Sequence, residues 1–197
     1  MEPVSDLIAA LRKFPGLGNK SSKRIVFYLL RKSNEELQEL GDLISGLKKN
    51  LYTCQYCGNV SAHDPCEICS DPLRDQKTIC VVDNLEALEA FEQAGVYNGL
   101  YHVIEVSGSS KAGADFSEEE IKFLIKHVKH VKAKEVIIAM SPKVESDLAY
   151  YALVERLHEV KGLEVTKLGL GIPMGGIIEF ADRLTLHSAL ESRKKVE

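Results

Sequence analysis

Apolar positions fall into two regimes along this chain. Up to about residue 50 they recur at helical spacing: Val4, Leu7, Ile8 and Leu11 form one stripe, and Ile25, Val26, Leu29 and Leu30 form another. The spacing predicts a first amphipathic helix, a second from about Asn19 to Arg31, and a third over 34–50. Ser33 or Asn34 can cap the third helix, Glu35 and Glu36 suit its first turn, and Lys48 and Lys49 suit its last. From Lys77 the pattern changes to short apolar runs alternating with helical stripes. Strands are expected at about 78–83, 101–106, 135–140 and 164–168, and helices at about 84–94, 117–130, 144–159 and 179–191. Ile137, Ile138, Ala139 and Met140 are continuously apolar, as in a strand covered on both faces, whereas Ile121, Leu124, Ile125 and Val128 mark a helix face. Alternation of this kind predicts a parallel sheet with helices on both sides and every strand's C-terminal end at one edge.

Between the two regimes stand Cys54, Cys57, Cys66 and Cys69, two Cys-x-x-Cys pairs separated by eight residues. Each pair lets two thiolates of a tight turn face one ion, and the second pair completes a tetrahedron, so the spacing predicts one structural zinc ion. Gly58 supplies a residue free to take positive φ, and Pro65 gives a stiff approach to the second pair. Disulfides and a redox Cys-x-x-Cys are the competing readings. The N-terminus has no apolar leader, and no run approaches the roughly 18 apolar residues of a membrane span, so a cytosolic chain with reduced thiols is expected. His63 reads as a solvent-facing residue of the cysteine loop. Cys80, inside an apolar run, reads as a small buried core residue.

Charge divides the chain in the same way as the apolar pattern. Residues 1–34 hold seven Lys or Arg against two acids, a local +5, which leaves −9 for the rest of a chain whose net charge is −4. Such asymmetry points to a basic module that meets a polyanion, joined to an acidic body. Within the basic stretch, Phe14-Pro15-Gly16-Leu17-Gly18 separates the first two helices in a helix-hairpin-helix pattern. Gly16 and Gly18 allow a sharp turn and close approach to a phosphate, and the amides that open the following helix donate to it. Lys20 and Arg24, one turn apart, flank the same phosphate, with Lys23 beside them. The competing reading is a plain helical turn with a solvated basic face; the direct junction of Pro-Gly-Leu-Gly with a basic amphipathic helix favours DNA. Nothing in the hairpin reads bases, so binding without sequence preference is expected. One hairpin neutralises few phosphates, and the second copy is expected from another subunit.

Acids gather at the expected C-terminal edge of the sheet. Asp83 ends the first strand, and Glu145 and Asp147 open the helix after the third. If those strands are neighbours, three carboxylates face one crevice, which could hold magnesium for phosphoryl chemistry or serve as a partner surface with no metal required. The helix macrodipole favours acids at helix starts in any case. In the tail, Gly169-Leu170-Gly171 and Gly175-Gly176 lie where phosphate loops occur, but no Gly-Lys-Ser/Thr follows; close backbone packing at a subunit interface is the better reading.

Taken together, Phe14 to Arg24, the four-cysteine loop, Thr78 to Asp83, Tyr101-His102-Val103 and Gly171-Ile172-Pro173-Met174-Gly175-Gly176 resemble the RecR family of bacterial recombination mediators. The resemblance covers nearly the whole chain. It implies a helix-hairpin-helix module over 1–52, a zinc finger over 53–76, a Toprim domain over 77–168 and a glycine-rich C-terminal segment with a helix over 169–197. It further implies a tetrameric ring around DNA, cytoplasmic and associated with the nucleoid. The implied partners are RecO and RecF proteins, with which the family helps load RecA at single-stranded gaps. Lys20 and Arg24 match the family's basic hairpin positions, and the four cysteines match its zinc ligands. Asp83 falls where Toprim domains usually carry glutamate, and Glu145 and Asp147 where they carry paired acids. The chain departs from the pattern at Asp83, in the segment from Glu105 to Phe116, which contains Lys111, and at Ile177, which replaces a usual acid.

Two function classes follow. The favoured one is a non-catalytic DNA clamp and scaffold whose acidic face receives a basic partner. The alternative is a magnesium-dependent Toprim enzyme performing phosphoryl transfer on DNA; the sequence supplies neither an evident tyrosine-nucleophile module nor a nucleotide-binding motif, although Tyr150 and Tyr151 stand on an expected helix.

Overall fold

The computed structural model describes residues 2–104, 116–140, 148–169, 171–193 and 195. They form two compact units, with the boundary between Leu51 and Tyr52. No helix among the described residues is long and apolar enough to cross a membrane.

The first unit consists of α1 (Glu2–Leu11), α2 (Asn19–Leu29) and α3 (Asn34–Gly46). The α1–α2 connection turns at Gly16, whose φ of +76° a side chain would strain. Val26 on α2 is the buried anchor of the unit, 1% exposed. A reciprocal capping box starts α3: Ser33 Oγ accepts from the Glu36 amide at 3.2 Å and Glu36 Oε2 accepts from the Ser33 amide at 2.9 Å. The helix stops at Gly46 rather than continuing to 50, leaving Lys48 and Lys49 in a tight turn where Lys49 N donates to Gly46 O at 2.9 Å.

The second unit opens with β1 (Tyr52–Thr53) and β2 (Val60–Ser61), a small antiparallel pair that brackets the first cysteine pair, followed by the one-turn α4 (Glu67–Ser70). Then come β3 (Asp75–Val82), α5 (Leu85–Ala94), β4 (Gly99–Val103), α6 (Glu118–Val131), β5 (Glu135–Ala139), α7 (Leu148–His158) and β6 (Glu164–Lys167). A 3₁₀ turn (Ile178–Phe180) and α8 (Arg183–Glu191) follow. The four strands are parallel in the order β4-β3-β5-β6. β3 and β5 are therefore neighbours, as the acidic crevice required.

Side-chain alternation along β3 divides the core. Ile79 and Val81 pack with Leu124 and Val128 of α6 and with Leu153 and Leu157 of α7. Cys80 and Val82 face the other way, onto Leu88 of α5. The crossover to β4 runs one way along the sheet and the later crossovers run the other, so right-handed connections place α5 on one face and α6 and α7 on the opposite face. The direction reverses between β3 and β5, and their C-terminal ends form the switch point at which open α/β sheets bind ligands. The first strand begins three residues earlier than its apolar run, at Asp75, because a register irregularity between Asp75 and Ile79 lets the polar start of β3 join the ladder. Burial lifts the Cys80 thiol to about 12, in keeping with a core role.

Candidate metal centre and nucleic-acid interface

The Sγ atoms of Cys54, Cys57, Cys66 and Cys69 all lie within 4.8 Å of one another. A tetrahedron with Zn–S bonds of about 2.3 Å has edges of about 3.8 Å, and Cys57 Sγ to Cys66 Sγ is 3.6 Å, far longer than a disulfide. Local backbone geometry produces this convergence. Gly58 takes φ +76° after Cys57 and its amide returns to Cys54 O at 3.1 Å, while Cys54 N donates to Asn59 O at 2.7 Å. Amides also point at sulfur: Cys66 N donates to Cys54 Sγ at 3.4 Å and Asn59 N to Cys57 Sγ at 3.5 Å. Packed this closely, the thiols cannot ionise independently. Hydrogen bonds from Cys57 and then Cys69 drive Cys66 far below its usual value, and Cys57 moves far above because it donates to Cys66. A dication lets all four ionise together. The donor set and geometry fit one structural zinc ion. His63 is exposed and 4.0 Å from Glu67, outside the sulfur cluster.

The knuckle is fastened to the sheet. Val103 at the end of β4 donates its amide to Cys57 O at 2.8 Å, and a Cβ on Gly58 would stand 2.9 Å from Val103 O. Ile68 of α4 packs against the cysteines and against both faces' core clusters. Arg74, which leads into β3, donates to Glu92 of α5, and Tyr101 OH donates to the same carboxylate at 2.9 Å. The Arg74 guanidinium holds Glu92 below the usual carboxylate range.

Beneath the knuckle lie two buried imidazoles, His102 on β4 and His127 on α6, with Nδ1 atoms 3.2 Å apart. His127 Nε2 has no hydrogen-bond partner among the described residues. Burial pushes His102 down to about 3 and His127 to about 4, so both rings are neutral at pH 7 and one donates to the other. This pair was not legible as chemistry in the sequence; the only signal was a histidine set between Tyr101 and Val103 in a strand.

In the first unit, Gly18 precedes α2 in extended conformation, with no side-chain cap on the helix start. Nothing lies within 4 Å of a Cβ built on Gly16 or Gly18, so the turn is open to an approaching ligand. Lys20, Lys23 and Arg24 are exposed and make no ion pair among the described residues. The arrangement offers amides, a helix N-terminus and three cations on one stretch of backbone.

The acidic crevice is only partly described. Asp83 follows β3 at the switch point, half-buried, and accepts from Asn84 Nδ2 at 2.9 Å. Glu145, Asp147 and Lys111 lie outside the described residues. In the tail, Gly175 takes φ +80° and a Cβ on Gly176 would meet Pro173 O at 2.9 Å, a tight turn. Met174, Ile178, Phe180 and Leu184 around it are exposed.

A helix-hairpin-helix unit, a four-cysteine zinc knuckle and a parallel α/β sheet define a zinc-containing protein of the nucleic-acid-binding class. Family profiles agree for the hairpin unit and the zinc knuckle: the RecR helix-hairpin-helix model matches residues 4–47, the RecR four-cysteine zinc finger domain model matches 51–71, and the RecR C-terminal model matches 171–194. The chain is 38% identical over 195 residues to Recombination protein RecR of Koribacter versatilis (strain Ellin345), covering 99% of this chain and 98% of that one. It is 39% identical over 196 residues to Recombination protein RecR of Mycobacterium sp. (strain KMS), covering 98% and 97%. It is 38% identical over 193 residues to that of Bifidobacterium adolescentis, covering 98% and 96%. The chain belongs to the RecR family.

Proposed function

We propose that this chain is a recombination-repair mediator that acts as a DNA clamp and scaffold without catalysing a reaction. The observation that carries the reading is the uncapped start of α2, open above Gly16 and Gly18 and bordered by Lys20, Lys23 and Arg24, which make no ion pair among the described residues. Phosphate is the ligand such a site takes, and its lack of base-reading groups makes binding indifferent to sequence. Zinc at Cys54, Cys57, Cys66 and Cys69 holds the knuckle on the sheet, with the finger spanning 53–76 between the hairpin module (1–52) and the Toprim domain (77–168). The C-terminal segment (169–197) supplies an apolar surface for a second copy. Several hairpins then line one tetrameric ring, and the acids Asp83, Glu145 and Asp147 receive a basic partner. RecO and RecF proteins are the partners, and the outcome is RecA loading at single-stranded gaps in cytoplasmic, nucleoid-associated DNA. Membership of the RecR family supports the mediator role, and the exposed Met174, Ile178, Phe180 and Leu184 support assembly.

The test is duplex binding measured across salt concentrations for the wild type and for Lys20→Ala with Arg24→Ala. The variant is expected to bind more weakly, with the slope of log affinity against log salt reduced by about 0.9 per lost phosphate contact. An unchanged slope removes the hairpin from the interface.

A further inference from the structure

The second unit carries a basic groove and an aromatic cleft that meet on α6. The groove, about 780 Å³, is lined by Lys122, Lys126 and Lys129 on one side and by Arg156 and Lys161 on the other. The cleft, about 310 Å³, is lined by Tyr56, Phe123 and His130. Lys126 and Lys129 border both cavities, so the two adjoin at these side chains. Tyr56 comes from the zinc knuckle and stacks on His130 at 4.6 Å between centroids and 11° between planes.

Ion pairing does not account for the groove's charge. Arg156 is ion-paired with Glu118 at 3.2 Å and with Glu159 at 3.4 Å, and Lys122 lies 3.9 Å from Glu118. Lys126, Lys129 and Lys161 are exposed and make no ion pair among the described residues. The helix dipole explains a basic residue in the last turn of α6, as at Lys129, but neither Lys126 a turn earlier nor Lys161 on a different segment. Lys122, Lys126 and Lys129 recur once per turn along about 10 Å of helix, the length of about three stacked nucleotides at roughly 3.4 Å each.

We infer that this groove and cleft form a second nucleic-acid surface, selective for single strands. Its cations track the phosphates, and a base enters the cleft to stack against Tyr56, Phe123 or His130, the pairing of features by which sequence-tolerant single-strand sites work. A duplex keeps its base faces covered and cannot use the cleft. An acidic peptide would use the cations but makes no use of the ring faces that border the cleft beside them. The surface lies entirely in the second unit and shares no residue with the hairpin, so it stands independently of the hairpin reading.

The experiment uses the zinc-loaded full chain carrying Lys20→Ala and Arg24→Ala, so that the hairpin is silent. A fluorescent oligothymidine of about 15 nucleotides, within the usual site sizes, is titrated by anisotropy against a duplex of equal length. The hairpin-silenced chain is expected to retain a preference for the single strand. Adding Lys126→Ala and Lys129→Ala is expected to lower single-strand affinity at least about tenfold and to reduce the salt slope by about 0.7 per lost phosphate contact. His130→Ala, which leaves the lysines and the zinc ligands in place, is expected to cost about fivefold or more through stacking. Photocross-linking from iodouracil is expected to label Tyr56, Phe123 or His130. Unchanged zinc content and circular dichroism show that each variant is folded. Affinity and slope unaltered by the lysine substitutions overturn the proposal, as does equal displacement by polyglutamate with no cross-link, which assigns the groove to an acidic protein segment. Loss of all single-strand binding on silencing the hairpin also overturns it while leaving the hairpin reading intact.

Discussion

Cys54, Cys57, Cys66 and Cys69 each contribute one sulfur to a cluster that only a cation can hold fully ionised. Replacing Cys54 and Cys57 by serine is expected to abolish zinc binding and unfold the knuckle, since structural zinc contributes on the order of 10 kcal/mol to the folding of small modules; metal analysis and thermal melting check this, and retained zinc stoichiometry contradicts it. Gly58 is held by two constraints, positive φ and the Val103 carbonyl 2.9 Å from where a Cβ would stand. Gly58→Ala should therefore cost about 1–3 kcal/mol in urea denaturation. His102 and His127 link stability to pH. Unfolded imidazoles take up protons near 6.5, whereas the buried pair resists until about 3 and about 4, so between these values the unfolded state binds more protons. Stability should be fully present above pH 6.5 and fall as the pH drops toward 4. His127→Asn should flatten that dependence in melts measured across the range, and an identical pH profile would exclude the pair as its source.

At the scale of elements, much is legible in the sequence because period and spacing are local properties. The 3.6-residue stripes locate α1, α2 and α6, the apolar run from Ile137 locates β5, and the Cys-x-x-Cys spacing locates the metal centre. The helix expected over 34–50 ends early, at Gly46, because basic side chains suit a last turn only where the backbone continues to one. What periodicity does not supply is pairing between distant elements. The β1–β2 pair joins two residues to two, too short for alternation to register. The His102–His127 contact depends on β4 lying under α6, and the Tyr56–His130 stack on the knuckle docking at the end of β4. The Arg74 clamp joins residues 18 positions apart. Arg74→Ala leaves the Glu92 carboxylate with Tyr101 alone, and the pair's partial exposure limits the expected loss to about 1–2 kcal/mol in urea. Because Arg74 holds Glu92 below its usual value, this contribution is present above pH 4.5 and disappears as the pH falls through the depressed value.

At the scale of the molecule, charge and apolar surface point to assembly. Among the described residues, Lys20, Lys23 and Arg24 on the hairpin and Lys126 and Lys129 on α6 are cations without an ion pair, while the acids at the switch point reduce to Asp83. Leu43, Ile44 and Leu47 on and after α3 are exposed, as are Ile178, Phe180 and Leu184 in the tail, and exposed apolar patches of this kind support the assembly proposed above. A single hairpin neutralises too few phosphates to bind tightly, so the clamp reading depends on multiplicity. The direct measurement is the light-scattering mass of the pure zinc-loaded protein, alone and with a duplex carrying a single-stranded gap. A multimer whose mass rises by that of the DNA is expected. A strict monomer that takes up no DNA at working concentrations would contradict it.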